Sequence, residues 1–180
     1  MQLHSSTTQP EPSDDTKALR RAFGTFATGV TVVTTGGDVP HAMTANSFTS
    51  VSLDPPLLLV CIGKGAVMHQ CLTMTGTFGV SVLAANQEDA ARHFSNRYRA
   101  LGAAQFEEID VVKGVLTGVP LVKGAIARFE CEVWRCYDGG DHSIFIGKVV
   151  ALCEEGDVDG LMVYRGQFRE IVSNLREVLA

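Results

Sequence analysis

Two long strand-forming runs, separated by a glycine-rich joint, constrain the fold of this chain more than anything else in it. The first, Ala125-Ile126-Ala127-Arg128-Phe129-Glu130-Cys131-Glu132-Val133, alternates apolar and polar residues more cleanly than any other stretch. Successive side chains of a strand point to opposite faces, so the odd positions are assigned to a core and Arg128, Glu130 and Glu132 to solvent. The second runs from Ser143 to Leu152, with Ile144, Phe145, Ile146, Val149 and Val150 among its residues. Gly139-Gly140-Asp141-His142 lies between them, and so short a glycine-rich connection makes the pair an antiparallel hairpin. Strands of this length leave edges that invite aggregation. Closing the sheet into a barrel removes them.

The remaining elements fit the same architecture. Gly29 to Thr35 is β-branched and reads as a strand, and Gly36-Gly37-Asp38 turns the chain into an antiparallel partner from about His41. Leu57 to Ile62, Phe78 to Leu83 and Leu161 to Tyr164 supply further strands. Short helices are expected over Lys17 to Phe23, capped by Asp14 or Asp15, within Gly65 to Met74, and after a cap at Asn86, with Ala90, Ala91 and Phe94 as the apolar stripe of the last. Ser95 to Gly118 has no clean period and is expected to run over the surface; Ile171 to Leu179 is expected to be a terminal helix. Residues 1–13 read as a disordered tail ahead of one domain over 14–180. Strands outnumber helices and connect mostly by turns, which predicts an antiparallel barrel with helical insertions rather than a doubly wound sheet.

Composition removes several function classes. A net charge of −5, with no local run of Lys and Arg, argues against a nucleic-acid surface. The longest apolar run, Leu57 to Ile62, is strand length and far short of a membrane span. The N-terminus lacks the basic and apolar regions of a signal peptide. Cys61, Cys71, Cys131, Cys136 and Cys153 include no Cys-x-x-Cys pair, which fits a reduced, cytoplasmic protein without structural zinc.

Chemistry is concentrated in a few places. Met43 to Pro56 mixes small and hydroxyl residues with single large apolar ones and stops at Asp54-Pro55-Pro56. Two readings stand: a Thr/Ser-rich edge strand ending in a turn, or a strand whose small side chains let a flat ligand reach the backbone. Gly63-Lys64-Gly65-Ala66 follows a strand and precedes a helix, which suits a phosphate, although no Gly-x-Gly-x-x-Gly or P-loop pattern is present and a plain turn explains it as well. Asp141, His142 and Ser143 are consecutive and so cannot form a triad, because neighbours in an extended chain face opposite ways. His4, His41, His69, His93 and His142 lie in no metal-ligand spacing, and no metal is expected. His142, at the mouth of the hairpin, is either a turn residue or a hydrogen-bond donor at a barrel rim.

Four segments in order then carry a family resemblance. Phe23 to Thr35, Met43 to Pro56, Gly140 to Val149 and Leu161 to Phe168 resemble, respectively, the opening helix and strand, the flavin-facing strand and turn, the nicotinamide-side signature and the closing Tyr-x-Gly-x-Phe segment of the short-chain flavin reductases that serve two-component flavin-dependent monooxygenases. The resemblance implies a mainly β, Greek-key antiparallel split barrel with a few helical insertions, assembled as a homodimer. It implies FAD or FMN as a dissociable substrate, NADH as reductant and a separate oxygenase component that receives the reduced flavin. By motif position, Thr44, Ala45, Asn46 and Ser47 would line the isoalloxazine and ribityl chain, with Ser50 in the same flavin-facing segment. Cys61, Ile62 and Lys64 would flank the phosphate end, with Ala66 starting the adjacent helix, His142 would contact the nicotinamide nucleotide, and Phe94 would lie at the flavin's outer end. Hydride transfer needs no protein nucleophile, which fits the lack of an acid–base pair. NADH is favoured over NADPH because no clear arginine pair for a 2′-phosphate is visible. The competing reading, a non-catalytic flavin-binding module on the same barrel, leaves the Gly-Asp-His segment unexplained.

Overall fold

A strand buried on both faces organises the molecule. All five residues of β2 (Thr31–Thr35) are buried. Val33 enters one hydrophobic cluster and Val32, beside it, a second. The β-branched run suits a pleated strand packed on both sides. The computed structural model describes residues 15–156 and 158–170; the tail expected over 1–13 and the helix expected over Ile171 to Leu179 lie outside them.

Around β2 the chain lays down α1 (Thr16–Phe23), β1 (Thr28–Gly29), β3 (His41–Ala45), β4 (Thr49–Leu53), β5 (Pro56–Gly63), α2 (Val67–Thr75), β6 (Thr77–Val82) and α3 (Glu88–Ser95). Then follow β7 (Val111–Lys113), β8 (Pro120–Val122), β9 (Ala127–Gly139), β10 (His142–Glu154), β11 (Leu161–Tyr164) and β12 (Gln167–Glu170). Seven strands form one antiparallel sheet in the order β3-β2-β6-β9-β10-β5-β4. Its two edges, β3 and β4, are consecutive in the chain and joined by Asn46, Ser47 and Phe48 alone. This short link draws the edges together, and the sheet becomes an antiparallel split barrel with helical insertions.

The interior of the barrel holds Val33, Leu58, Val60, Ile62, Phe78, Val80 and Phe145, with Met68 and Leu72 of α2 plugging it. The second cluster sits on the other face of β2, where Ala91 and Phe94 of α3 meet Val30, Val32, Leu83 and Leu161. The apolar stripe assigned to α3 is therefore a core stripe.

Three expectations change. Arg128 and Glu130 are buried, at 9% and 4% exposure, although Glu132 is exposed as expected. The reason is the β7–β8 hairpin, whose connecting residues fold over that face of β9 and donate three amides to the Glu130 carboxylate. The segment expected to run over the surface thus supplies cover. It also carries Gln105, fully buried, whose amide oxygen accepts from Ala42 N–H on the edge strand β3. Asn86 does not cap α3: a short 3-10 turn, Ala85–Gln87, precedes the helix, and the Gln87 side chain accepts from Ala84 N–H instead.

Candidate functional site

Three turns converge at one rim of the barrel: the 46–48 link, the 63–66 turn entering α2, and the β9–β10 turn at Gly140-Asp141. Register fixes their spacing. Ser47 lies beside Cys61, and Gly63, two residues further along β5 and about 7 Å on, is paired with His142. The Ser47 hydroxyl accepts from Cys61 N–H and donates to Cys61 C=O, both at 3.0 Å, so it replaces the backbone partner that β5 lacks there. Ser47→Ala leaves both groups unpaired and should lower stability by about 1–2 kcal/mol in urea unfolding. A midpoint equal to that of the wild type would show that the link closes without this hydroxyl.

The link leaves donors available. The amides of Asn46, Ser47 and Phe48 meet no acceptor among the described residues. Asn46 is exposed and, with Phe23, Phe26, Thr28 and Arg165, lines a cavity of about 250 Å³. A row of free amides flanked by apolar rings suits the polar edge of a flat heterocycle. The polar edge of a flavin would find its hydrogen-bond donors there.

The other two turns are tied together. Lys64 N–H donates to Asp141 C=O at 2.9 Å, and the Lys64 ammonium pairs with Asp138. That hydrogen bond from Lys64 holds the Asp138 carboxyl below the usual range. The α2 helix begins after Ala66, which offers no side-chain cap, so its first amides face the turn with the positive end of the helix dipole. Such a helix end has the free donors and the dipole sign that an anion requires. Behind it, His69 of α2 bonds Ser143 Oγ at 2.8 Å and sets its ring edge against Phe145, fastening the helix to β10.

His142 Nδ1 lies 2.7 Å from Asp141 Oδ1. A carboxylate only accepts, so Nδ1 carries the proton, and in the neutral ring Nε2 is left as an acceptor. The same hydrogen bond holds the Asp141 carboxyl below its ordinary range. The ring lies over Gly63, where a Cβ would be 3.7 Å from Nε2, an ordinary van der Waals contact.

The rim gathers Asn46, Ser47, Cys61, Lys64, Ala66 and His142. Ile62 stands behind them with its side chain wholly in the barrel core. Thr44 donates its hydroxyl to Ala91 C=O of α3 at 2.7 Å, and the Ala45 carbonyl takes the Thr31 hydroxyl, so these two serve the strand rather than the open rim. Ser50 is exposed on the edge strand β4, opposite Leu58. Phe94, expected at a flavin's outer end, is fully buried and packed on Phe106 with ring centroids 5.6 Å apart; it has no surface to offer. A cavity of about 590 Å³ between the Gly36-Gly37-Asp38 turn and the β7–β8 hairpin holds none of these groups.

Known proteins share this chain's sequence and fold. The NADH-dependent FAD reductase of Streptomyces globisporus is 52% identical over 167 residues, covering 93% of this chain and 91% of that protein. An NADH-dependent flavin reductase from Rhodococcus is 45% identical over 158 residues, covering 85% of each. The solved structure of the Streptomyces globisporus NADH:FAD oxidoreductase in complex with NAD and FAD fragments superposes with a TM-score of 0.88 at 50% identity, over 93% of this chain and 99% of that one. BorF, the flavin reductase component of a bacterial two-component tryptophan halogenase, gives a TM-score of 0.85 at 54% identity, over 87% of this chain and 98% of its own. Residues 23–172 match the flavin reductase like domain, and the chain belongs to that family.

Proposed function

We propose that this protein is an NADH-dependent flavin reductase that takes FAD or FMN as a dissociable substrate and releases reduced flavin to a separate monooxygenase or similar flavin-using component. The observation that carries this reading is the row of unpartnered amides at Asn46, Ser47 and Phe48, set beside His142 and the uncapped start of α2. When both cofactors are bound, hydride passes from nicotinamide C4 to flavin N5, and no protein nucleophile takes part. The chain's own task is placement. The 46–48 amides orient the flat ring and offer donors where negative charge develops. Lys64 and the α2 terminus, with Cys61 and Ile62 forming the strand beneath, hold a phosphate. His142, with its proton fixed on Nδ1 by Asp141, aligns the nicotinamide nucleotide. Thr44, Ala45 and Ser50 act only as the backbone floor of the flavin-facing segment.

A homodimer belongs to the same reading. It is supported by exposed apolar side chains such as Leu53 and Phe26, at 95% and 77% exposure. Among the described residues no helix is long and apolar enough to cross a membrane, which is compatible with a cytoplasmic reductase.

The test is steady-state NADH oxidation by purified protein with FAD, FMN and riboflavin supplied separately. Turnover that depends on added flavin is expected; flavin binding without turnover would make the protein a storage or sensing module. Within that assay, His142→Ala should raise the KM for NADH about tenfold, the loss of one hydrogen bond, with a smaller change for flavin. An unchanged KM for NADH would remove His142 from the site.

A further inference from the structure

The two walls of the rim are carried by different elements. Lys64 and the start of α2 form one, and His142, the first residue of β10, stands on the other. In the function proposed above, the α2 side holds the flavin and His142 aligns the nicotinamide. Hydride transfer then needs the walls in one fixed relation, and something in the fold must set it.

Two of the ties across the rim run through a single residue. Lys64 N–H donates to Asp141 C=O at 2.9 Å, and the Lys64 ammonium pairs with Asp138. Both leave from position 64, so the turns can rock about it. The ion pair is also exposed at both ends, at 43% and 77%, where such pairs are weak and screened by salt. Only a third tie, away from that point, stops the rocking.

His69 makes it. This residue lies in the first turn of α2, and its Nε2 is 2.8 Å from Ser143 Oγ. Ser143 adjoins His142 and is 6% exposed, and His69 is the one partner of its hydroxyl among the described residues. The His69 ring also sets its edge on Phe145, with centroids 5.3 Å apart and planes at 74°. Bond and ring contact together fix the imidazole in both position and tilt.

Holding α2 in place does not call for this pair. Met68 and Leu72, both fully buried, already plug the barrel, and α2 packs mainly against β2, β3, β5 and β6. Apolar contacts are not directional, so they hold a helix down without fixing its slide or turn. A hydrogen bond is directional, and a buried polar group that loses its partner is costly. A polar pair among apolar neighbours therefore adds little to docking and much to registration. That registration runs from the helix to the residue beside His142.

We infer that His69 is a positioning residue for hydride transfer. Through Ser143 it fixes the start of α2 and His142 in one relation, so that nicotinamide and flavin meet in reacting geometry. This rests on the function proposed above. The step aligned is the passage of a hydride, with its two electrons, from nicotinamide C4 to flavin N5, leaving NAD+ and the reduced flavin anion. In this role His69 touches neither substrate, so its loss should reach the rate rather than the affinities.

His69→Leu keeps the bulk and removes the bond, Ser143→Ala removes a single oxygen, and His69→Gln returns an amide near the place of Nε2. In steady-state turnover at low temperature, the first two should each lower kcat about tenfold, less than the roughly hundredfold that a full ångström of misplacement costs. The KM values for NADH and for flavin should stay within about threefold of the wild type, and the double variant should lose no more than either single one. His69→Gln should recover most of the loss. NADH deuterated at C4 should give a larger isotope effect in the slow variants, because the misaligned hydride step becomes the slow one. Two readouts need no turnover. Flavin affinity, followed by fluorescence quenching, should match the wild type, and the His142 ring signals in the NMR spectrum of the ligand-free protein should move in His69→Leu. Wild-type kcat in folded His69→Leu and Ser143→Ala overturns the inference. So does a loss confined to KM, or additive losses in the double variant. Should His69→Leu not fold, Ser143→Ala decides by the same kcat and isotope readings. A moved His142 signal without flavin-dependent NADH oxidation by the wild type would instead remove the proposed function and leave His69 as the residue that positions His142.

Discussion

Glu130→Ala should lower the unfolding free energy by about 3 kcal/mol, and the Tm by about 10 °C. The carboxylate accepts from the amides of Val115, Leu116 and Thr117 and from the Thr117 hydroxyl, at 2.6 to 3.0 Å. Hydrogen bonds to a charged acceptor contribute about 1.5–3 kcal/mol each, and the full sum is not expected because Val115 and Leu116 are exposed and water replaces part of it. Gly114 packs so close that a Cβ there would stand 2.6 Å from Glu130 Oε2, so truncating Glu130 also opens a void beneath the loop. Glu130→Gln keeps one acceptor oxygen and should lose about half as much.

The pH dependence has a definite sign. Burial pushes the Glu130 pKa up, but the hydrogen bonds from Thr117, Val115 and Leu116 together outweigh it and leave the group below its ordinary value. A depressed folded pKa gives stability that is complete above the unfolded value and lost as pH falls through the folded one. The Tm difference between wild type and Glu130→Gln should therefore be level from pH 8 to about 5 and shrink below about 4.3, where the unfolded carboxyl takes up its proton. A difference that holds unchanged to pH 3 would mean that the contribution comes from shape rather than charge.

Glu130 also shows what the sequence could not say. Its alternation with Cys131 and Phe129 correctly marks a strand, and parity correctly separates two faces. What parity omits is whether a face has a lid, and the lid here comes from residues 111–122, which have no period of their own. Gln105 was illegible for the same reason: one polar residue in an aperiodic stretch looks solvated until the edge strand it satisfies, at Ala42, is in view.

The site was legible to the extent that local chemistry carried it. Gly-Asp-His at a hairpin and small residues in Met43 to Ser52 pointed to the rim proposed above as the site. The hydroxyls there were harder to read, because Ser47 and Thr44 turn out to close the barrel and anchor α3. Both roles depend on strands that meet only after folding. Phe94 had two claims on it, and the helical stripe with Ala90 and Ala91 prevailed, since a fully apolar ring in that register has a core to fill.

The second large loss should come from one methyl group. A Cβ built on Gly147 of β10 would lie 2.4 Å from Phe78 Cζ, 2.9 Å from Phe78 Cε1 and 3.1 Å from Cys131 Cβ. Phe78 is fully buried among Val33, Val60 and Val80, so its ring has nowhere to swing. Pairing with β9 already slips between Ile146 and Gly147, so the strand bends where the ring comes closest. Gly147→Ala must displace the ring or push β10 away from β6 and β9. Overpacking of this kind typically costs about 1–3 kcal/mol, and the upper end applies because both walls are backbone-tethered and dry. His142, five residues and about 16 Å along the strand, should keep its place, so the KM for NADH at low temperature should stay near that of the wild type. Phe78→Leu removes the atoms that collide. Urea unfolding of the wild type, both single variants and the double variant should then show the double losing at least 1 kcal/mol less than the sum of the singles. Additive losses would place the strain elsewhere, and Gly147 would then serve the bend in β10 rather than the ring of Phe78.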